Sequence, residues 1–162
     1  MNLPAGQRNE LIAAYAAGSA RLRTAYEAVP EEARKWKPAP ADFSAHEVVC
    51  HCADSETNSY ARIRRLIADP APAIIQGYDG DAWAKLLEYS EQSAELALDT
   101  VAAVRASTAP LIRRLGEAQW AASGAHSESG HYTAEDWLRI YAAHCEEHAQ
   151  QIEAVCLAWR AR

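Results

Sequence analysis

The stretch TAEDWLRIYAAHCEEHAQQIEAVCLAW, residues 133–159, decides the fold because a helical pattern runs through its whole length. Thr133 is placed to cap a helix. Asp136 stands where a capping box has Glu or Gln, and an acid there complements the helix dipole. Apolar residues then recur every three or four positions, so one face is predicted to lie in a core. The inward-facing residues are Trp137, Ile140, Tyr141, His144, His148, Gln151, Ile152, Val155 and Trp159.

Three further segments have the same periodicity, and no segment shows the alternation typical of a strand. Their predicted bounds are about Gln7 to Val29, Ser44 to Asp69, and Leu86 to Leu115. A short helical turn is expected at DAWAKLL, residues 81–87. Four long amphipathic helices with modest connections predict an all-α protein, a four-helix bundle.

Two local signals refine the helix bounds. Ser44 is a good N-cap, and Glu47 completes a capping box with it. Pro110 lies inside the third helical pattern, so a kink or break is expected near Thr108.

Length and charge limit the classes of function. The 162 residues, 49% of them apolar, are expected to form one globular domain spanning residues 1–162. The formal net charge of −6 argues against a nucleic-acid partner. No apolar run approaches the roughly 20 residues of a membrane span, and the N-terminus does not resemble a signal peptide. We therefore expect a cytoplasmic protein with no membrane partner.

Three histidines suggest a metal site. His144 and His148 are four residues apart, so both imidazoles lie on one helix face. Such a pair alone is often structural, but burying two imidazoles without partners would cost about 1–3 kcal/mol each, and a bound cation would offset that cost. His51, beside the apolar stripe of the second helix, is a candidate third ligand; the alternative is a histidine at the edge of the surface. Three nitrogens would leave open coordination positions, as in catalytic sites.

Other metal motifs do not fit. HCEEH, residues 144–148, has Cys145 where the zincin motif has its glutamate. Di-iron bundle sites need Glu-x-x-His, and the residues three before the three histidines are Val48, Tyr141 and Cys145.

Two segments carry a resemblance to a known family. SAHEVVCHCADSETNSYARIRRLIAD (44–69) resembles the second helix of the DinB-like family, with a histidine followed by an Ala-Asp-x-Glu run at residues 53–56. GAHSESGHYTAEDWLRIYAAHCEEHAQQIEAV (124–155) resembles its last segment, including a loop histidine and glycine, His126 and Gly130. The resemblance covers nearly the whole chain in order and spacing, although no single motif is decisive.

The resemblance implies a DinB-like bundle of up-down-down-up type, often dimeric, with a divalent metal held by His51, His144 and His148. It also implies a low-molecular-weight-thiol-dependent S-transferase, since relatives use mycothiol or bacillithiol. The second possible enzymatic function is hydrolysis by a metal-activated water. Imidazole suits Zn, Ni and Fe alike, so the ion is not identified. The alternative is a non-catalytic metal-binding protein that acts as a homodimer.

Several polar residues are candidates for supporting roles. Glu47 and Asp54, one turn either side of His51, could accept its second ring N–H. Gln151, one turn beyond His148, could bind a substrate, and so could His126 in the loop. Each also fits a solvated surface position.

For the remaining conspicuous side chains we predict mainly whether they are exposed or buried. His46 is expected to be exposed, and Arg62 is either a substrate-carboxylate ligand or a surface charge. The tryptophans Trp83, Trp120 and Trp159 fit the core better than a dimer face. The four cysteines, expected to be reduced and partly buried thiols, are Cys50, Cys52, Cys145 and Cys156.

Overall fold

The computed structural model describes residues 3–162. Its helices are, in chain order, α1 (Ala5–Glu27), α2 (Ala45–Ala68), α3 (Gly80–Leu86), α4 (Ala94–Ile112), α5 (Glu117–Trp120) and α6 (Ala134–Arg160). Three short strands lie between them: β1 (Ala73–Ile75), β2 (Ser123–His126) and β3 (Gly130–Thr133). The four long helices α1, α2, α4 and α6 carry most of the chain, which confirms the predicted all-α class.

The long helices form a four-helix bundle in which sequence neighbours are not always spatial neighbours. Helix α1 packs mainly against α6 and α4, and α2 also packs mainly against α4 and α6. Helices α1 and α2 touch each other only slightly, so they lie diagonally across the bundle. This arrangement places α2 directly beside α6, the two helices on which the three histidines lie.

The predicted capping box at the start of α2 is present, and a second capping box forms at the start of α6. The Oγ of Ser44 accepts a hydrogen bond from the N–H of Glu47 (3.2 Å), and the Glu47 carboxylate accepts one from the N–H of Ser44 (2.9 Å). Thr133 and Asp136 make the same reciprocal pair at the start of α6, at 3.0 and 2.9 Å. A shorter acid therefore completes the motif as well as glutamate does.

The predicted single helix from Leu86 to Leu115 is wrong at its beginning. The chain has left-handed backbone at Glu88 (φ 51°), makes a 3-10 turn, and starts α4 only after Ser93. The Oγ of Ser93 accepts from the N–H of Leu96 and so caps the new helix. The short helix expected at residues 81–87 is confirmed as α3.

Pro110 does not break α4 near Thr108 as predicted. Helix α4 continues to Ile112, and Pro110 lies in its last turn. Because the helix ends two residues later, the missing N–H of proline removes one hydrogen bond without disturbing a following turn.

The expectation that strands are absent is also wrong. Strand β1 pairs in parallel with β2, and β2 pairs with β3 in antiparallel fashion. Strands of three or four residues are too short for period-two alternation to stand out. Strand β3 leads directly into α6, so the sheet anchors the start of the helix that carries His144 and His148.

Two clusters of buried apolar side chains form the core, one around Leu22, Val48 and Ile152 and one around Tyr15, Ile63 and Trp137. Trp120 belongs to the second cluster, while Trp83 and Trp159 pack half-buried against the first. Two predicted inward-facing positions are wrong: Ile140 is 50% exposed, and Gln151 is also exposed. No helix within residues 3–162 combines the length and the apolar character that crossing a membrane requires.

Candidate metal centre

The three histidines predicted as ligands come together between α2 and α6. The ring centroids of His51 and His148 are 4.9 Å apart, those of His51 and His144 are 5.9 Å apart, and those of His144 and His148 are 4.5 Å apart. One potential ligand atom from each ring lies within 4.8 Å of the other two. We call this group the histidine trio.

Burial keeps two rings of the trio, those of His51 and His148, neutral. Removal from water lowers the pKa of His51 to about 3, and the two neighbouring histidines lower it further. Burial and the nearby His144 lower the pKa of His148 to about 4. Both rings are therefore unprotonated at neutral pH, and each has a lone pair available for a cation.

Hydrogen bonds at Nδ1 orient two of the rings. The Nδ1 of His148 is 2.8 Å from the Oε1 of Gln151, and the Nδ1 of His144 is 3.3 Å from the Oε1 of Glu56. Each contact leaves Nε2 of that ring uncommitted. The Nδ1 of His51 is buried and has no hydrogen-bond partner among residues 3–162. Two oriented imidazoles and one with an unpaired nitrogen fit a divalent ion, for which neutral imidazole is the commonest ligand.

The carboxylates expected to orient His51 are engaged elsewhere. Glu47 accepts from Ser44 in the capping box and pairs with Lys37 at 2.8 Å. Asp54 accepts a 2.6 Å hydrogen bond from the hydroxyl of Tyr89. Neither bonds to the ring of His51, because these contacts hold both carboxylates elsewhere.

Gln151 and His126 have different surroundings. Gln151 is exposed, and it contacts the trio through His148, as its position one turn away predicts. His126 lies in the hairpin between β2 and β3, where its Nδ1 accepts from the backbone N–H groups of Glu128 and Ser129 at 3.3 and 3.4 Å. Its ring packs near Tyr132. These contacts hold His126 in the turn and not in the histidine trio.

Arg62 is half-buried and makes structural contacts beside the trio. It donates to the hydroxyl of Tyr141 (3.0 Å) and to the carbonyl of Gln76 (2.8 Å). The Tyr141 ring in turn lies 5.6 Å from that of His144. Arg62 therefore ties the loop before α3 to the helix that carries His144.

Glu56 and Arg105 are important residues that sequence reasoning missed. The Glu56 carboxylate is fully buried and accepts a 2.6 Å hydrogen bond from Nη2 of Arg105, which is also buried. Burial alone would lower the pKa of Arg105, but the charge of Glu56 raises it overall. A signal existed: Val101, Arg105 and Ile112 share the buried face of α4, so helical spacing alone places a charge in the core.

A second group of potential ligands, formed by Glu56, His144 and Cys145, is unsuited to a cation. Burial raises the pKa of the Cys145 thiol to about 12, so it is protonated at neutral pH. The guanidinium of Arg105 already neutralises the carboxylate at 2.6 Å. A cation there would lack an anionic ligand and would face a positive charge.

The histidine trio borders an open cleft of about 430 Å³. His148 and Gln151 form one wall, Phe43 and Val155 provide apolar surface, and Asp81 adds a carboxylate. Phe43 also contacts the trio directly, with its ring 5.9 Å from that of His51. A small molecule in this cleft would therefore contact the ring of His148, the member of the trio that lines it.

Two expectations about other residues have clear outcomes. His46 was predicted to be exposed and is not: it is 7% exposed, and its Nε2 lies 2.9 Å from the carbonyl oxygen of Gln92. The turn before α4 covers His46. The predicted continuous third helix had no turn at this place, so the burial of His46 was not expected. All four cysteines are free and buried, which is deeper than the partial burial expected for them.

Comparison with known proteins agrees with this geometry. A curated relative from Oceanobacillus iheyensis, named "Putative metal-dependent hydrolase OB0782", is 30% identical over 114 residues, which cover 70% of this chain and 65% of the relative. The match thus spans slightly less than two thirds of that protein. A second relative, "Putative metal-dependent hydrolase YfiT" from Bacillus subtilis, is 26% identical over 134 residues, 82% of this chain and 75% of the relative.

Structure and family comparisons extend further along the chain. A solved structure of YfiT from Bacillus subtilis, described as a probable metal-dependent hydrolase with an unusual four-helix bundle topology, superposes with a TM-score of 0.87. At 23% identity, over 95% of this chain and 88% of that one, this likeness establishes the fold. The family model of the DinB superfamily matches residues 14–152. The chain therefore belongs to the DinB superfamily.

Proposed function

We propose that the protein is a metal-dependent hydrolase of small molecules, with His51, His144 and His148 as ligands of one divalent ion. The observation that carries the proposal is the convergence of three imidazoles, from two helices, on one point beside an open cleft. Nitrogens on one tetrahedral ion lie roughly 3.4 Å apart, given a bond of about 2.0–2.1 Å. Small ring rotations therefore suffice to bring nitrogens that lie within 4.8 Å onto an ion.

The donor set favours catalysis over a purely structural role. A structural zinc site has four protein ligands, whereas the three rings of the trio have no fourth metal-ligating side chain in their group among residues 3–162. A divalent ion there, with Zn, Ni and Fe the candidates, would polarise a substrate bond and lower the pKa of a water molecule. The names of the two curated relatives support the hydrolytic version.

The protein's own groups would bind and orient the substrate. Phe43 and Val155 offer apolar contact, while Gln151 presents an amide at the cleft wall next to His148. Gln151 can accept a hydrogen bond from a substrate or donate one to it, because its side chain is exposed.

The second candidate reaction is the transfer of a group to a low-molecular-weight thiol. The surroundings of the four cysteines indicate where that thiol would come from. All four are buried, and burial raises the pKa of Cys50 to about 11 and of Cys145 to about 12. Since the nucleophile in such chemistry is a thiolate, the thiol would have to come from a cosubstrate. The third candidate is a non-catalytic metal-binding homodimer.

Activity measurements separate the three candidates. Zn²⁺-, Ni²⁺- and Fe²⁺-loaded protein is tested on a panel of esters and amides, and on maleyl and epoxide electrophiles with and without an added thiol. We expect turnover of a hydrolysable substrate that is lost after chelation and in the His144→Ala/His148→Ala variant, but retained in His131→Ala, which alters an exposed histidine outside the trio. Turnover only with added thiol would favour transfer, and metal binding without turnover would favour the non-catalytic protein.

A further inference from the structure

Arg105 is clamped at the centre of the bundle. Its guanidinium donates to the carbonyl of Tyr15 in α1 (2.7 Å), to Glu56 in α2 (2.6 Å) and to the carbonyl of Tyr141 in α6 (2.8 Å). Its side chain is 1% exposed, and its guanidinium also lies over the Tyr15 ring at 4.5 Å. Three elements therefore fix this charge, and arginine does not lose its proton in proteins.

Glu56 connects that fixed charge to the histidine trio. One carboxylate oxygen, Oε1, lies 2.6 Å from Arg105 and 3.3 Å from Nδ1 of His144. The Glu56 side chain is fully buried, so water does not compete for this oxygen. The Oε1 atom that accepts from Arg105 therefore also faces the ring of His144 as a hydrogen-bond acceptor.

An acceptor at this place determines where the proton of the His144 ring lies. Nδ1 must carry the proton to form a favourable contact with the carboxylate, which leaves the lone pair on Nε2. Gln151 imposes no such choice on His148, because an exposed amide can turn to present either its oxygen or its NH₂ group. Of these two contacts on α6, only that of Glu56 is made by a charged group.

We propose that Glu56, held in place by Arg105, is a positioning residue that fixes His144 as the Nδ1–H tautomer and so prepares its Nε2 for a divalent metal. This inference rests on the proposed metal function. It assigns the buried ion pair a role in ligand geometry in addition to its place in the core. Partners of this kind typically change metal affinity 10- to 100-fold.

The first experiment measures Zn²⁺ and Co²⁺ affinity by competition with a chelating dye. Glu56→Gln keeps an oxygen in nearly the same place and removes the charge, so we expect binding weaker by about 10-fold or more. Asp54→Asn makes the same chemical change two residues away on α2, where the carboxylate contacts Tyr89, and should leave affinity within about 2-fold. Thermal unfolding of each apoprotein shows whether the variant is folded.

The outcomes distinguish the inference from the proposed function. Wild-type binding together with unchanged affinity in Glu56→Gln would overturn the inference alone. A wild-type protein that binds neither ion would overturn the proposed function and the metal role of Glu56 with it.

The second experiment needs no bound metal and reads the tautomer in the wild-type protein itself. Long-range ¹H–¹⁵N correlation spectra of the wild-type apoprotein at neutral pH report the tautomer of each histidine, and His144→Gln identifies the signal of His144. The inference predicts protonated Nδ1 and unprotonated Nε2 for that ring. An Nε2–H tautomer would overturn it, and a role of Glu56 in core packing alone does not require either tautomer.

Discussion

Acidification of the apoprotein should reveal the energetic cost of burying the trio. The pKa of His148 falls from 6.5 to about 4 on folding, and that of His51 falls from 6.5 to about 3. Because both values are lower in the folded state, the unfolded chain binds protons first as the pH falls. The stability present above pH 6.5 is therefore lost progressively as the pH approaches 4.

The size of this loss of stability follows from the pH interval in which the two rings are protonated only in the unfolded state. Between pH 6.5 and 5 each ring contributes about 2 kcal/mol, at about 1.4 kcal/mol per pH unit. Each ring is partly exposed, and the two interact, so we expect a combined loss of about 2–4 kcal/mol in the free energy of unfolding. Carboxylates add little in this interval because most of them titrate at lower pH.

Urea unfolding in the presence of a chelator, at pH 7 and at pH 5, measures this loss. A His51→Gln/His148→Gln variant should lose about 2–4 kcal/mol less than the wild type between the two pH values, whereas His131→Gln, at an exposed site, should behave as the wild type. Equal losses in the wild type and the double variant would show that the trio is not buried in the neutral form, and the reasoning would be refuted.

Three further predictions concern the scaffold. Ser44→Ala should lower the free energy of unfolding by about 1 kcal/mol because it removes one half of the α2 capping box; an unchanged urea midpoint would contradict this. Gly124→Ala would place a Cβ 2.3 Å from the carbonyl oxygen of Ala73, so thermal unfolding should show a loss of about 1–3 kcal/mol, whereas Gly6→Ala, which meets open space, should show none. All four thiols should react slowly with a thiol-specific dye in the native protein and rapidly in urea, and a fast native phase would argue against their burial.

Local signals in the sequence predicted the helices and the trio well. The caps at Ser44 and Thr133 depend on residues three apart, and both formed as expected. The convergence of His51 with His144 and His148 required only that two apolar stripes face each other. Helical periodicity predicts which face of each helix is buried, and the family resemblance implied that these two faces meet.

Features that depend on distant parts of the chain were not predictable in the same way. The β1–β2 pair joins Ala73 to Gly124, about 50 residues apart, through strands too short to leave a pattern. The burial of His46 depends on the turn at Gln92, which backbone geometry at Glu88 creates.

The supporting carboxylate shows why proximity on a helix was a poor guide. Glu47 and Asp54 are closer in sequence to His51 than Glu56 is. Glu56 is nevertheless the carboxylate that approaches an imidazole, and that imidazole belongs to His144 on the neighbouring helix α6. Its orientation is set by Arg105 of α4, a contact that follows from bundle packing. The family pattern included Glu56, but its role became visible only with its buried partner.

Metal content per chain tests the central claim most directly. Protein purified without a metal-affinity tag, from medium supplemented with Zn, Ni and Fe, is analysed for metals beside the His144→Ala/His148→Ala variant and the His131→Ala control. We predict about one divalent ion per chain in the wild type and the control, and essentially none in the double variant. Full retention of metal by the double variant, or its absence from the wild type, would contradict the proposal that the histidine trio binds the ion.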